Sequence, residues 1–192
     1  ARLKDRPEAV PPLASFFLFQ LGFLIYYTFI LVLMQRVYGF GTAGIGLFSV
    51  VMGVGFMAGS AFCYGPVAGW LKEERKIAIF GHAICGTLLI ASALPVPAMG
   101  QMALTVLICI ANVFGYVSLL TAASSRVPET ERGWVLGLSA AGVAVCVFLS
   151  GFLTRLLTHL PVESFLVLGG VLVLLAILPA LAIRPVAETA PA

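Results

Sequence analysis

Charge is the scarcest property of this sequence: of 192 residues, 11 are Lys or Arg and 8 are Asp or Glu, a charged fraction of 10%. A soluble protein averages about 25%. Disordered segments, charge-patterned coiled coils and nucleic-acid-binding surfaces all need a dense charge pattern, so each is excluded. Histidine occurs twice and no H-E-x-x-H pair exists, which removes the zinc-protease arrangement. The four cysteines, Cys63, Cys85, Cys109 and Cys146, show no C-x-x-C spacing and fall in apolar surroundings, as small packing residues do. Neither a metal site nor a cofactor is expected. Gly137-Leu138-Ser139-Ala140 offers a serine of the rhomboid-protease type, but no histidine lies at comparable depth on a facing helix, so no enzymatic activity is expected.

What the sequence has in excess is apolar side chain: 61% of it, against about 45–50% for soluble domains. Marking every charged residue leaves six charge-free stretches, 13–34, 43–71, 77–95, 99–122, 133–154 and 164–183. Even the shortest, built as a helix, covers about 28 Å, close to the ~30 Å hydrocarbon thickness of a bilayer. The expected fold class is all-α, a polytopic membrane protein with six transmembrane helices within 13–183. Pro95, Pro97, Pro128 and Pro161 punctuate the connections, and Gly65-Pro66 predicts a kink in the long second helix.

Every Lys and Arg except Arg36 and Arg155 falls on one side of such a bundle, in the N-terminal segment, the second and fourth connections, and Arg184. The positive-inside rule then places both termini in the cytoplasm of a plasma or bacterial inner membrane.

Polar side chains inside a bilayer are costly and should face protein or water. Gln101, Thr105, Asn112 and Tyr116 fall within about 60° of one face of the fourth helix. Gln20 and Tyr27 nearly superpose on the first, with Phe16, Phe23 and Tyr26 beside them. The third and sixth helices are almost wholly apolar and are expected to face lipid; His82 in the third suits either a proton sensor or a hydrogen-bonded interface residue. The second and fifth carry small residues at intervals of four, Gly55 and Gly59, Gly65 and Gly69, Gly133 and Gly137, then Gly142, Cys146 and Ser150, a pattern that permits close backbone approach. Static packing and sliding surfaces are both compatible with it. Polar-striped, glycine-rich and apolar helices thus recur in the same order, and three spans separate the sets, so the repeat is inverted, a recurring transporter design.

This pattern resembles the C-terminal six-helix half of a major facilitator superfamily transporter. The connection from Gly65 through Trp70, Leu71, Lys72, Glu73, Glu74 and Arg75 to Lys76 is similar to a shortened form of that family's G-x-L-x-D-R-x-G-R-R motif, with Gly69, Leu71, Glu73 and the basic pair retained. Ser125-Arg126-Val127-Pro128-Glu129-Thr130-Glu131-Arg132-Gly133, and Gly39-Phe40-Gly41-Thr42-Ala43-Gly44-Ile45-Gly46, resemble segments of tetracycline-type drug/proton antiporters.

The likeness implies residues 1–12 as the end of a central cytoplasmic loop, 184–192 as a cytoplasmic tail, and a secondary active transporter working by alternating access. Its partners would be a small-molecule substrate, the lipid bilayer, and a second six-helix half, either a missing N-terminal half or a dimer mate. It implies substrate contacts at Gln20, Phe23, Tyr26, Tyr27, Asn112 and Tyr116, and a cytoplasmic latch of Gly69, Glu73, Arg75, Lys76, Arg126, Glu131, Arg132 and Gly133. In that latch Glu73 or Glu131 docks on a helix beginning near Gly133. Gly55, Gly59, Gly137 and Gly142 would pack helices together. A non-transporting six-helix scaffold is the alternative.

Overall fold

The structure, a computed structural model, describes residues 6–184; the expected termini 1–5 and 185–192 lie outside the described residues. An apolar chain in a bilayer must satisfy its backbone hydrogen bonds within each segment, and the described residues are helical throughout, with no strand among them. A short 3₁₀ turn, Pro7–Ala9, opens α1 (Val10–Arg36), where Pro11 and Pro12 occupy first-turn positions that lack intrahelical donors anyway. Gly39, at φ 68°, turns the chain into α2 (Thr42–Ala58).

A π turn at Gly59–Cys63 then leads into α3 (Tyr64–Leu71), and the Tyr64 N–H bonds to the Gly59 carbonyl five residues back. The sequence predicts a proline kink here, and the widened turn sits immediately before the point where Pro66 cannot donate. Lys72, held at φ 62°, ends α3.

The remaining helices are α4 (Glu74–Ala91), α5 (Ala98–Ser124), α6 (Glu129–Phe152), α7 (Val162–Leu175) and α8 (Ile177–Leu181), with a 3₁₀ stretch at Leu153–Thr158. Pro97, Pro128 and Pro161 stand directly ahead of α5, α6 and α7. Pro179 accounts for the break between α7 and α8, because it cannot donate to the Leu175 carbonyl.

Five helical segments are long and apolar enough to cross a membrane: Pro7–Arg36, Thr42–Leu71, Ala98–Ser124, Glu129–Thr158 and Val162–Leu181. The third expected span, 77–95, is shorter than predicted. Glu74, Arg75 and Lys76 occupy the first turn of α4, and Ser92 ends it by donating to the Leu89 carbonyl at 2.6 Å, before Pro95. That leaves about 22 Å of uncharged helix over residues 77–91. The fifth span begins four residues before the expected 133, because Pro128 rather than Gly133 initiates it.

α1 packs on α5, α6 and α7; α5 packs on α1, α2 and α4; and α4 packs on α7. Exchanging α1 with α5, α2 with α6 and α4 with α7 reproduces this set of contacts. α1 and α5 are the most enclosed spans, each 56% buried over its most apolar window, whereas α2–α3 and α6 reach only 22%.

The third and sixth helices, expected to face lipid, each also carry a packed face, while Val167, Leu168, Val171 and Leu175 of α7 are exposed. α4 buries Ile77, Ala78, Gly81, His82, Cys85, Gly86 and Leu89, and α7 lies between it and α1. In a bilayer apolar side chains are at ease against lipid or protein, and it is glycine that draws these helices inward. A Cβ added at Gly22 would lie 2.4 Å from the Gly169 carbonyl oxygen, and one at Gly81 would lie 2.8 Å from the Gly115 nitrogen. Two turns beyond Gly22 on α1, Phe29 stacks on Phe165 of α7, centroids 4.0 Å apart. Ala9, Ala123, Val127 and Val135 form a separate apolar cluster at the end of the bundle that carries most of the basic residues, called the basic end below.

Candidate functional site

α1 and α5 run antiparallel and meet in successive rungs. Near the basic end the rings of Phe16 and Tyr116 lie 5.4 Å apart. Toward the far end, Tyr26 Oη and Thr105 Oγ1 are 2.9 Å apart, and the Thr105 hydroxyl also donates to the Gln101 carbonyl at 2.8 Å. Thr105 has one hydroxyl hydrogen, so Tyr26 is the donor in their bond.

Between these rungs, one turn inward from Phe16 and from Tyr116, Gln20 and Asn112 fall at one level. They are 6% and 5% exposed, and Gln20 Oε1, an acceptor, and Asn112 Nδ2, a donor, have no hydrogen-bond partner among the described residues. Gln101, fully buried, has both side-chain amide atoms unpartnered as well. A buried polar atom left unpaired costs about 1–3 kcal/mol, so this level of the crossing is where a hydrogen-bonding group would gain most.

The six sequence-predicted contact residues do not form one uniform wall. Tyr27 and Tyr116 present surface, 40% and 38% exposed, while Gln20, Phe23, Tyr26 and Asn112 are enclosed. The ring of Phe23 lies within 6.5 Å of those of Tyr26, Tyr27 and Phe56, linking α1 to α2. A cavity of about 720 Å³ lies toward the basic end, between α1 and α6, lined by Phe16, Phe17, Leu138, Ser139 and Gly142 among others. Its lining is apolar apart from Ser139, whose hydroxyl is spent on the Val135 carbonyl at 2.9 Å. Phe16 borders both this cavity and Tyr116.

The expected latch residues gather at the basic end, where most of them are engaged as follows. Glu73 pairs locally with Lys76 at 2.6 Å, and that bond holds the Glu73 carboxyl below the usual carboxylate range. Glu131 lies in the first turn of α6 and receives two bonds from Arg6, 3.1 Å from Nε and 3.2 Å from Nη2. Arg132 pairs with Glu129 at 3.2 Å. Arg126 donates to the carbonyls of Ala122 and Arg184, joining the ends of α5 and α8. Arg75 Nε is buried without a partner, and a Cβ at Gly69 or Gly133 would meet nothing within 4 Å. Among the described residues no contact joins Glu73 to α6, whereas Glu131 ties α6 to the N-terminal segment.

Gly55 and Gly59 lie against α5, where an added Cβ would come within 3.0 Å of it, and Gly142 approaches Phe17 at 3.7 Å. Gly137 meets open space.

Two features escaped the sequence reading. Ser15 Oγ sits 3.1 Å from His82 Nε2 and donates to the Ala176 carbonyl at 2.8 Å, so His82 Nε2 supplies the hydrogen between them. His82 also stacks on Phe19 at 4.5 Å, which makes it an interface residue tying α1, α4 and the end of α7. Ser15 and Arg6 carry no distinctive spacing; one is a lone hydroxyl in an apolar run and the other a single tail charge. Among the described residues, no group of three His, Cys, Asp or Glu side chains is placed to hold a metal ion.

No family model, no curated protein and no solved structure matches the chain.

Proposed function

We propose that this chain is half of a secondary active transporter that moves a small organic molecule by alternating access, with six transmembrane helices arranged as two inverted three-helix repeats. The observation that carries the reading is the Gln20–Asn112 level, an unpartnered acceptor and an unpartnered donor buried at the middle of the α1–α5 crossing. The contact pattern supports it as well, since exchanging the first three spans with the last three preserves every principal packing pair. α4 is then the third of the six spans, short enough to need its charged first turn at the membrane surface, and the basic end is cytoplasmic by the positive-inside rule.

α2–α3 and α6, the least enclosed spans, would receive a second six-helix bundle, as the resemblance to major facilitator transporters implies. No carboxylate lies within the five membrane-length segments beyond their end turns, so drug efflux by proton antiport, the tetracycline-type reading, would draw its proton-carrying acid from that second bundle. The alternative, a non-transporting scaffold, is favoured by Tyr26, whose hydroxyl hydrogen is spent in holding α1 to α5.

Thiol labelling separates the two. In native membranes, with the four native cysteines replaced, Gln20→Cys and Asn112→Cys should react with a membrane-impermeant maleimide in at least one transport state. Both positions staying sealed under all conditions would favour the scaffold and remove the transport reading.

A further inference from the structure

We infer that the crevice between the last turn of α5 and the first turns of α6 seats the headgroup of an anionic phospholipid. The crevice, about 370 Å³, is lined by Leu120, Thr121, Ser124, Ser125, Arg132 and Leu136. The Thr121 and Ser124 hydroxyls and the Arg132 guanidinium offer hydrogen-bond donors and a positive charge, the combination that holds a phosphate diester, while the Ser125 hydroxyl is spent on the Ala122 carbonyl.

Its polarity is graded along the helix axes. Leu120 precedes Ser124 by four residues on α5, and Leu136 follows Arg132 by four on α6, so both leucines lie about 6 Å deeper on the same faces. A polar rim above an apolar wall fits a phosphate with acyl chains beneath it, whereas free phosphate has no use for the leucines. The crevice also lies at the basic end, the level that headgroups occupy around a bundle crossing a membrane.

The charges around the seat leave it positive. Glu129 meets Arg132 at 3.2 Å, but the pair is one helical turn apart and the Glu129 side chain is 84% exposed, so it exchanges readily. Glu131 is engaged by Arg6. Arg126, 3.4 Å from the Ser125 hydroxyl, adds a positive charge beside the rim. This inference needs a membrane around the bundle but does not rest on transport.

The test uses the purified full chain in phosphatidylcholine vesicles with and without phosphatidylglycerol, re-extracted so that retained lipid is counted by mass spectrometry. Phosphatidylglycerol should be retained in preference. Arg132→Gln should lower its retention about fivefold, the weight of one basic residue at a membrane surface. Glu129→Gln should raise it, and Arg155→Gln, at the opposite end, should leave it unchanged. If Arg132→Gln fails to fold, Ser124→Leu, which fills the seat without altering charge, carries the same expectation. Retention unaffected by either substitution overturns the site. Displacement of the lipid by millimolar inorganic phosphate overturns the lipid assignment in favour of a simple anion.

Discussion

Tyr26 and Thr105 join α1 and α5 by a hydroxyl pair 2.9 Å apart, with the tyrosine donating because the threonine proton is committed to the Gln101 carbonyl. The two ends of this bond are unequal. Tyr26→Phe removes a donor and leaves Thr105 with its own acceptor, so it should cost about 0.6 kcal/mol and no more than about 1.7, the range for hydrogen bonds between membrane helices. Thr105→Val strands a buried phenol and should cost more, about 1–3 kcal/mol. The double variant should fall short of the sum. Unfolding of the four proteins in detergent, compared as a double-mutant cycle, measures the difference.

Gly22 and Gly137 look alike in the sequence and should behave oppositely. An alanine methyl at Gly22 would sit 2.4 Å from the Gly169 oxygen and 2.9 Å from Val173 Cγ2, forcing α1 and α7 apart. Overpacking of this kind costs about 1–3 kcal/mol. At Gly137 the methyl meets nothing within 4 Å, and exchanging a helix glycine for alanine gains about 0.5–1 kcal/mol. If a second bundle packs on α6, Gly137→Ala should nonetheless impair transport while raising the unfolding temperature. Thermal unfolding and substrate flux on the same preparations distinguish these effects.

Ser15 and His82 form a bond whose removal should depend on which partner goes. Ser15→Ala leaves the His82 Nε2–H with no acceptor in an enclosed site, an expected cost of about 1–3 kcal/mol. Adding His82→Phe, which retains a ring against Phe19, should recover most of that loss, because two apolar groups of similar shape leave nothing unpaired. Detergent unfolding of Ser15→Ala and of the double variant reads out the recovery; a double variant as unstable as the single would show that the histidine acts through something other than this bond.

Glu73 supplies a pH dependence of defined sign. Its carboxyl is held below the usual range chiefly by the hydrogen bond from Lys76. A depressed carboxylate stabilises the folded chain above its unfolded pKa, and the contribution is lost as the pH falls through the folded value. The group is exposed, so the signature to seek is the titration itself. Carboxyl NMR should place the Glu73 midpoint low, and Lys76→Gln should raise it toward that of an ordinary glutamate.

Helix limits were legible wherever a charge or a proline fell at a membrane boundary: Arg36 closes α1, Lys72 follows α3, and Pro97 and Pro161 precede α5 and α7. They were less legible where the charges entered the helix, as in the first turns of α4 and α6. Hydropathy alone also left the arrangement of helices undecided, because a leucine is equally content against lipid or protein. The packed faces of α4 and α7 follow from Gly81, Gly86, Gly169 and Gly170, glycines that attract less notice than the four-residue repeats of α2 and α6. In the candidate site, residue type and helical face brought Gln20 and Asn112 to notice, but whether each atom has a partner depends on the antiparallel register of α1 on α5. Periodicity within one helix carries no such register.

Arg6 and Glu131 pair beside the basic end of the 720 Å³ cavity, since Pro7 lines that cavity directly after Arg6 and Glu131 lies two turns ahead of Leu138 on the same helix. The paired side chains are 40% and 29% exposed, so solvent screens them and their contribution to stability should stay below about 1 kcal/mol. Access is the more sensitive quantity. Breaking the pair with Glu131→Gln removes one of the restraints holding the N-terminal segment over α6, while the apolar contacts of Ala9 with Val135 remain. A cysteine at Leu138 should then react faster with a water-soluble thiol reagent added from the basic side, and raising the salt concentration should speed the reaction of the parent in the same direction. Equal labelling rates in parent and variant, at low and high salt alike, would mean that Ala9, Val127 and Val135 seal this end without help from the ion pair.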